Sequence, residues 1–277
     1  MKKITADEMK VISKYIHDIS GIILDQSKAY LIETRLGRLL EEYGYSSYSE
    51  LYHRAKTDKS LERNILNAIT TNETLFFRDS SPFEALQHKI LPDLIDARTK
   101  KSSRNLPIPI KIWSAACSTG QEVFSIAMIL KELLPDLKRY SIKLLGTDIS
   151  DAAIARASYG NYNKFEIERG LPRDKLQKYF SPNGDSWKIK DEIRAMANFR
   201  KLNLMLPFNG LGKFDIIFCR NVAIYFCNED REKIFNKIAD AMENDGYLII
   251  GSTESLTGIC PKFQPERHIR SIFYQLK

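Results

Sequence analysis

The sequence has no long apolar run and only four cysteines and four histidines, and each shortage excludes a class of protein. No stretch approaches the roughly 20 apolar residues that a membrane-spanning helix needs, and the charged start lacks the apolar core of a signal peptide. The cysteines and histidines are scattered, with no Cys-x-x-Cys pair. We therefore expect a cytoplasmic protein without membrane insertion, a disulfide framework, a zinc site or metal catalysis.

The net charge of +7 is unevenly placed. Residues 1–80 hold 12 Lys and Arg against 12 Asp and Glu, so the whole excess lies downstream. A basic surplus leaves nucleic acid or an acidic protein surface open as a partner. However, no Lys/Arg cluster alternates with aromatic residues as a nucleic-acid platform requires. We expect no nucleic-acid partner.

The first 70 residues show apolar positions at three- and four-residue spacing and nothing that alternates like a strand. The predicted helices are Ala6–Ile16, Ser27–Tyr43, Tyr48–Ala55 and Leu61–Ile69. Asp25 or Ser27 can begin the second helix, and Gly44 can end it. This spacing predicts a small all-helical domain, with boundaries at residues 1–72, followed by a second domain at 73–277.

Strands and helices alternate in the second domain. The predicted strands are Ile110–Ala115, Ser141–Thr147, Phe214–Cys219 and Tyr247–Gly251, and the predicted helices are Phe83–Ala97, Gln121–Leu134, Asp151–Ser158 and Asp230–Met242. A polar loop is predicted from Arg98 to Pro109, and an antiparallel pair within Phe263–Gln275. Such alternation indicates an α/β fold with an open, mostly parallel sheet covered by helices on both faces. A turn-rich stretch at about 178–197 predicts a small antiparallel β insertion.

Two strand ends carry the residues that indicate a ligand. The turn Ala115–Gly120 has small side chains that let a ligand approach the backbone, and its single glycine disfavours the Gly-x-Gly-x-x-Gly pattern of dinucleotide sites. Asp148 ends the next strand, where a carboxylate can accept hydrogen bonds from ribose hydroxyls. A plain connecting loop and a helix cap are the alternatives for these two features.

The sequence resembles the chemotaxis-receptor glutamate O-methyltransferases (CheR type), which depend on S-adenosylmethionine. The matching stretches, in family order, are Thr70-Thr-Asn-Glu-Thr-Leu-Phe-Phe-Arg78, Trp113-Ser-Ala-Ala-Cys-Ser-Thr-Gly-Gln-Glu122, Gly146-Thr-Asp-Ile149, Asn203-Leu204 and Phe214-Asp-Ile-Ile-Phe-Cys-Arg-Asn-Val-Ala-Ile-Tyr-Phe226. The resemblance implies a class I, Rossmann-like methyltransferase domain with a seven-stranded sheet, a helical N-terminal domain and a β-subdomain.

The resemblance also implies roles for particular residues. Those expected to bind S-adenosylmethionine or its product S-adenosylhomocysteine are Asn72, Thr74, Arg78, Ala115, Glu122, Asp148, Asn203, Leu204, Arg220 and Asn221. Arg78 and Tyr225 match the positions nearest the transferred methyl. Without the resemblance, Arg78 reads as an inter-domain salt bridge and Tyr225 as a core aromatic. A glutamate acceptor is ionised at neutral pH, so this chemistry needs no general base.

The partner implied is the set of cytoplasmic helices of chemoreceptors. Lys28, Arg35 and Arg38 fall on one arc of the second helix and are expected to dock the acidic receptor helices, although a solvated face is the alternative. The stretch Ser181–Lys190 has one glycine, so we expect methylation without tethering to a receptor pentapeptide. We expect a monomer. Two other functions stay open: a non-catalytic cofactor-binding adaptor, and a methyltransferase for another protein or RNA.

Overall fold

The computed structural model describes residues 2–101, 106–134 and 136–277 of the chain. Its first part consists of four helices: α1 (Ala6–Ser20), α2 (Ala29–Tyr43), α3 (Tyr48–Ala55) and α4 (Lys59–Ile69). Thr5 and Glu8 form a capping box that begins α1, and the Asp58 side chain accepts from two amides at the start of α4. The helices share a separate apolar core, which includes Ile12, Ile16, Ile32, Leu36 and Leu61. An all-helical N-terminal part is thereby confirmed.

The boundaries differ in detail from those predicted. α1 continues to Ser20, and α2 begins at Ala29 after a 3-10 turn at Gln26–Lys28. The segment predicted as one helix is α5 (Ser81–Ala85), a π turn (Leu86–Ile90) and α6 (Leu91–Lys101). The loop predicted from Arg98 was wrong at its start, because Arg98 still belongs to α6 and is held there by Asp215 and Asp245. Residues 102–105 of that loop lie outside the described residues.

A seven-stranded sheet forms the centre of the second part and confirms the predicted α/β fold. Its strands are β1 (Ile108–Ala115), β2 (Tyr140–Asp148), β6 (Ala197–Lys201), β7 (Phe214–Cys219), β8 (Met242–Ile250), β9 (Phe263–His268) and β10 (Ser271–Leu276). The order is β6-β2-β1-β7-β8-β10-β9. The first five are parallel neighbours, whereas β10 is antiparallel to both β8 and β9. Consequently, the carboxyl ends of β1, β2 and β7 lie side by side.

Helices cover both faces of the sheet: α7 (Gln121–Leu133), α8 (Asp151–Tyr159) and α12 (Asn228–Asp240). Successive residues of a strand point to opposite faces, and Ile112 and Trp113 accordingly belong to two different apolar clusters. The first cluster contains Phe124 of α7, and the second contains Phe235 of α12. In the parts of the chain that the structure describes, no helix is both long and apolar enough to cross a bilayer.

A second sheet has three short antiparallel strands: β3 (Asn161–Asn163), β4 (Phe180–Asn183) and β5 (Ser186–Ile189), in the order β3-β5-β4. The predicted insertion at about 178–197 contains the β4–β5 hairpin. Its limits need correction at both ends, because β3 precedes it and Ala197 already pairs with Leu144 of the main sheet. The short helices α9 (Lys164–Glu168) and α10 (Arg173–Tyr179) lie between β3 and β4, and α11 (Asp191–Arg194) connects β5 to β6. The domain boundary near residue 72 stays a prediction.

Candidate functional site

A cleft opens where β1, β2 and β7 end, and the turn after β1 forms its floor. Three residues of this turn have positive φ: Ala116 (57°), Ser118 (50°) and Gly120 (94°). The amide of Cys117 donates to the carbonyl of Thr147 at 2.8 Å, which fixes the turn to the end of β2. A Cβ at Gly120 would lie 2.9 Å from the Cβ of Ala157, so only glycine fits between the turn and α8. The turn contributes Ala116, Cys117 and Ser118 to the lining of the cleft.

Asp148, the last residue of β2, is buried beside this turn. Its carboxylate accepts from the amides of Ser118 and Ser150, both at 2.9 Å. Burial raises the pKa of the Asp148 carboxyl above its ordinary value of 3.8, although these amides act in the opposite direction. A desolvated carboxylate gains from further donors, and ribose hydroxyls are donors of that kind.

Glu122 and Arg220 form an ion pair across the cleft from Asp148. The pair measures 2.9 Å, and Glu122 also accepts from the hydroxyl of Ser114 at 2.8 Å. The Arg220 side chain is 2% exposed; its Nη2 donates to the carbonyl of Arg78 at 2.6 Å and contacts Asp79 at 3.1 Å. Its Nε is buried and has no hydrogen-bond partner among the described residues. The guanidinium is thus fixed by Glu122, Asp79 and the Arg78 carbonyl, with one buried donor left unpaired.

The segment between α4 and α5 forms a second wall. The carbonyl of Asn72 accepts from the Ser118 hydroxyl at 3.1 Å, and the amide of Phe77 donates to the Ser125 hydroxyl at 3.0 Å. Phe76 is fully buried and anchors the segment to the second part of the chain. The segment thereby places Asn72, Thr74 and Arg78 on the lining of the cleft.

The opposite wall carries Asn203, Leu204 and Tyr225. The Asn203 amide nitrogen donates to the carbonyl of Ile19 at 2.9 Å, and its oxygen accepts from the amide of Met205 at 2.9 Å. Leu204 is buried and presents an apolar surface. The carbonyl of Tyr225 accepts from the amide of Ile23 at 3.0 Å. This wall is thus tied to the end of α1.

Glu254 was missed by the sequence interpretation. Its two carboxylate oxygens accept from the amides of Asn221 (2.8 Å), Ala223 (2.9 Å) and Gly251 (2.8 Å). These bonds hold the loop after β7, including Asn221 at a φ of 55°. The rule that indicated Asp148, an acidic residue just after a strand, would also have indicated Glu254 after β8.

The structure brings most of the predicted residues to one cleft. Of the predicted residues, those that line it are Lys28, Arg35, Asn72, Thr74, Arg78, Glu122, Asp148, Asn203, Leu204, Arg220, Asn221 and Tyr225. Ala115 and Arg38 do not line it. Ala115 is buried in the sheet between Thr147 and Cys219, and the next residue, Ala116, lines the cleft instead. The roles of these residues stay predictions.

The three residues predicted to dock a partner have different surroundings. Arg35 is half-buried, and its Nη1 donates to the carbonyl of Ile69 at 2.7 Å and to the hydroxyl of Thr71 at 3.1 Å. It therefore fixes the end of α4. Lys28 lies 3.6 Å from Asp25, and Arg38 is exposed.

The cleft fits S-adenosylmethionine by the chemistry of its donors and acceptors. Asp148 offers a carboxylate, Glu122 and Arg220 offer opposite charges suited to the ends of an amino acid, and Leu204 offers an apolar surface to a base. With the sheet order described above, these groups define an S-adenosylmethionine-dependent methyltransferase of Rossmann-like fold.

The chain belongs to the CheR methyltransferase family. Residues 72–270 match the family's "CheR methyltransferase, SAM binding domain", and residues 7–70 match its "CheR methyltransferase, all-alpha domain".

Three similar proteins share this family. The chain is 38% identical over 270 residues to chemotaxis protein methyltransferase Cher2 of Pseudomonas putida, with 95% of each chain covered. It is 39% identical over 284 residues to a chemotaxis protein methyltransferase of Vibrio parahaemolyticus, with 99% of this chain and 98% of the relative covered. It is 38% identical over 269 residues to chemotaxis protein methyltransferase 1 of Pseudomonas aeruginosa, with 95% of each covered.

Proposed function

We propose that the protein transfers a methyl group from S-adenosylmethionine to glutamate side chains on the cytoplasmic helices of chemoreceptors. The products are glutamyl γ-methyl esters and S-adenosylhomocysteine. Membership of the CheR family and the chemotaxis names of the relatives support this proposal. The proposal also includes that the protein is a cytoplasmic monomer and binds no nucleic acid, with domain limits at 1–72 and 73–277.

One observation carries the proposal: Arg78 lies on the cleft with much of its guanidinium uncommitted. Its Nη1 donates to the carbonyl of Glu73 at 3.1 Å, and it forms no ion pair with any residue in the described ranges. A planar guanidinium binds a carboxylate through two parallel hydrogen bonds. The guanidinium of Arg78 can therefore orient a glutamate that enters the cleft.

The reaction needs no general base from the protein. S-adenosylmethionine, when bound, supplies a methyl group on a positively charged sulfur. A glutamate oxygen is ionised near neutral pH and forms the new C–O bond as the C–S bond breaks, with the electron pair going to sulfur. Arg78 and the Tyr225 hydroxyl can position that oxygen, and placement of two reactants is worth roughly 7–11 kcal/mol in favourable cases.

Receptor recognition without a pentapeptide tether is a further part of the proposal. The β4–β5 hairpin turns through Asn183–Ser186 with a single glycine, Gly184, at a φ of 59°. Only two residues, Gly184 and Asp185, join the paired ends of these strands. A turn this short offers little backbone for a peptide to pair with.

The test is incubation with methyl-labelled S-adenosylmethionine and membranes that carry chemoreceptors, with receptor-free membranes as the control. Methyl esters are hydrolysed by mild base, whereas N-methyl groups are not. Base-labile label on the receptor supports the proposal. Base-stable label on protein or RNA would assign a different acceptor. Cofactor binding without any transfer would assign the adaptor function.

A further inference from the structure

A second group of polar side chains lies away from the cleft, where α1 meets the start of α12. His17 comes from α1. Cys227 is the residue before α12, and Asp230 lies in the first turn of that helix. One ligand atom from each, the imidazole nitrogen, the thiol sulfur and a carboxylate oxygen, lies within 4.8 Å of the other two. The His17 Nε2 and the Asp230 Oδ2 are 2.9 Å apart.

We propose that these three side chains bind a Zn²⁺ ion. Imidazole, thiolate and carboxylate are the ligand types that zinc takes, at about 2.0–2.3 Å, which places tetrahedral ligands about 3.3–3.8 Å apart. Small side-chain rotations reach that spacing from the arrangement described. The Asp230 side chain is 4% exposed and the His17 side chain 41% exposed. The site is therefore held on one side and open to a water molecule as the fourth ligand.

Several existing contacts must give way or adjust, among them those of the Cys227 thiol with the carboxylates of Glu229 and Asp230. The hydrogen bond between His17 and Asp230 is replaced by two bonds to the metal. Lys233 contacts the other carboxylate oxygen, Oδ1, at 3.1 Å, and its side chain is 68% exposed, so it can stay or turn outward. The thiol of Cys227 releases its proton to solvent as the Zn–S bond forms.

The ion would join the two parts of the chain at a place that already connects them. Tyr225, two residues before Cys227, accepts from the amide of Ile23, and Gly21 packs against Met205 and Phe226. Residues 17 and 227 are far apart in sequence, so no metal spacing motif marks the site. The ion would therefore hold the helical part against the wall of the cleft that carries Tyr225.

The experiment titrates the full-length protein with Zn²⁺ by calorimetry and with Co²⁺ by absorbance, where a thiolate ligand gives a charge-transfer band. We expect one equivalent of metal in the wild type. We expect affinity to fall about 100-fold or more in His17→Gln and Cys227→Ser, since even outer groups of a metal site are worth 10–100-fold. The matched controls are His53→Gln and Cys260→Ser, which should bind as the wild type does.

The thiolate band must vanish in Cys227→Ser and persist in Cys260→Ser. Zn²⁺ should also raise the unfolding temperature of the wild type and leave that of His17→Gln unchanged. Binding that is insensitive to both site variants, or a Co²⁺ complex without the thiolate band, overturns the proposal. Should Cys227→Ser fail to fold, His17→Gln decides the matter, because the His17 side chain is 41% exposed. The readouts are independent of any methyl transfer.

Discussion

Arg220 shows how single residues prepare the cleft before any ligand arrives. Its side chain is buried, and its charge is balanced by Glu122, Asp79 and the carbonyl of Arg78. A buried charge is costly unless it is paired and hydrogen-bonded, so these partners fix its position. Its Nε has no hydrogen-bond partner in the part of the chain that the structure describes. The ligand thus meets a charge that has already been removed from water.

Arg78→Ala is expected to reduce turnover by far more than tenfold while S-adenosylmethionine still binds. Alanine removes the guanidinium that is proposed to orient the glutamate, whereas Glu122, Asp148 and Leu204, the proposed cofactor contacts, remain. Turnover is measured as base-labile methyl transfer and cofactor affinity by calorimetry. Arg54→Ala, a matched change at an exposed arginine of α3, serves as the control. Wild-type turnover in Arg78→Ala would remove this role.

Asp148 is expected to make cofactor affinity depend on pH. Burial raises the pKa of its carboxyl above 3.8, so the proton that turns this carboxylate into a weaker acceptor is taken up at a higher pH than for a free aspartate. Affinity should therefore weaken as the pH falls from neutral toward this raised pKa. Calorimetry across this range compares the wild type with Asp148→Asn, which cannot titrate. Equal slopes in the two proteins would contradict the prediction.

Residues that follow a buried strand could be predicted, and residues that act across long loops could not. Asp148 and the turn after β1 were found because parallel strands end at a common edge. Glu254 was missed, although it follows a strand, because the resemblance indicated the loop after β7 and not the residue that holds this loop. Arg35 was expected to face a partner, but it donates to the end of α4. No spacing in the sequence reveals such a contact, since the partners of Arg35 are two backbone carbonyls and the Thr71 hydroxyl.

At the scale of elements, backbone strain is concentrated in the loops that form the cleft. Five residues other than glycine have positive φ there: Phe77, Asp79, Ala116, Ser118 and Asn221. Each such conformation costs about 1–3 kcal/mol and persists only where surrounding contacts enforce it. The contacts come from Ser125, Asp148 and Glu254, which bind the amides of these loops. The strained residues and the side chains that hold them therefore lie together around the cleft.

Gly120→Ala is expected to destabilise the fold more than Gly184→Ala does. Both glycines have positive φ, which costs alanine about 1–2 kcal/mol. At Gly120 the new Cβ also lies 2.9 Å from Ala157, adding about 1–3 kcal/mol, whereas nothing lies within 4 Å at Gly184. Denaturant unfolding measures both. A similar loss in the two variants would show that contact with α8 is unimportant.

Arg98→Ala is expected to lower the free energy of unfolding by about 3 kcal/mol, because it leaves the Asp215 carboxylate buried without its cation. Arg98 binds Asp215 at 2.6 Å, where the Asp215 side chain is 5% exposed. The control is Arg194→Ala, whose partner Asp191 is 82% exposed and whose ion pair is worth about 0.5 kcal/mol. Comparable losses in denaturant unfolding would refute the structural role of Arg98.

Long periodic elements were predictable from the sequence, and short or irregular ones were not. The buried strand β7 and the helix α7 follow from their apolar patterns. β3 has three residues and exists because β5 supplies a partner, so it carries no period of its own. The end of α6 was also predicted wrongly. A charged residue such as Arg98 is typical of a loop, and its partner Asp215 lies 117 residues away in the sequence.

On the scale of the whole molecule, the helical part and the sheet share one cleft. Lys28 and Arg35 reach it from the helical part, and Asp148 and Arg220 reach it from the sheet. The first 80 residues carry equal numbers of acidic and basic side chains. Under the proposed function, attraction of acidic receptor helices would rest on the local placement of cations such as Arg38, rather than on the overall charge of this part.

Arg38→Glu is expected to raise the KM for receptor about fivefold without changing cofactor affinity, which corresponds to about 1 kcal/mol for an exposed charge contact. Arg38 is the better choice than Arg35, whose reversal would also disturb residues 69–71. Arg54→Glu, on α3, is the matched reversal. An unchanged KM in Arg38→Glu would remove this face of α2 from receptor docking.

The hydrogen bond from Asn203 to Ile19 joins residues 184 positions apart, and this has a consequence for synthesis on the ribosome. The N-terminal helices have their own apolar core and can fold while the rest of the chain is being made. The cleft cannot close until Glu254 has left the ribosome to hold the loop after β7. A nascent chain that still lacks Glu254 therefore has no acceptor for the amides of Asn221 and Ala223, and binding of S-adenosylmethionine should follow the synthesis of this residue.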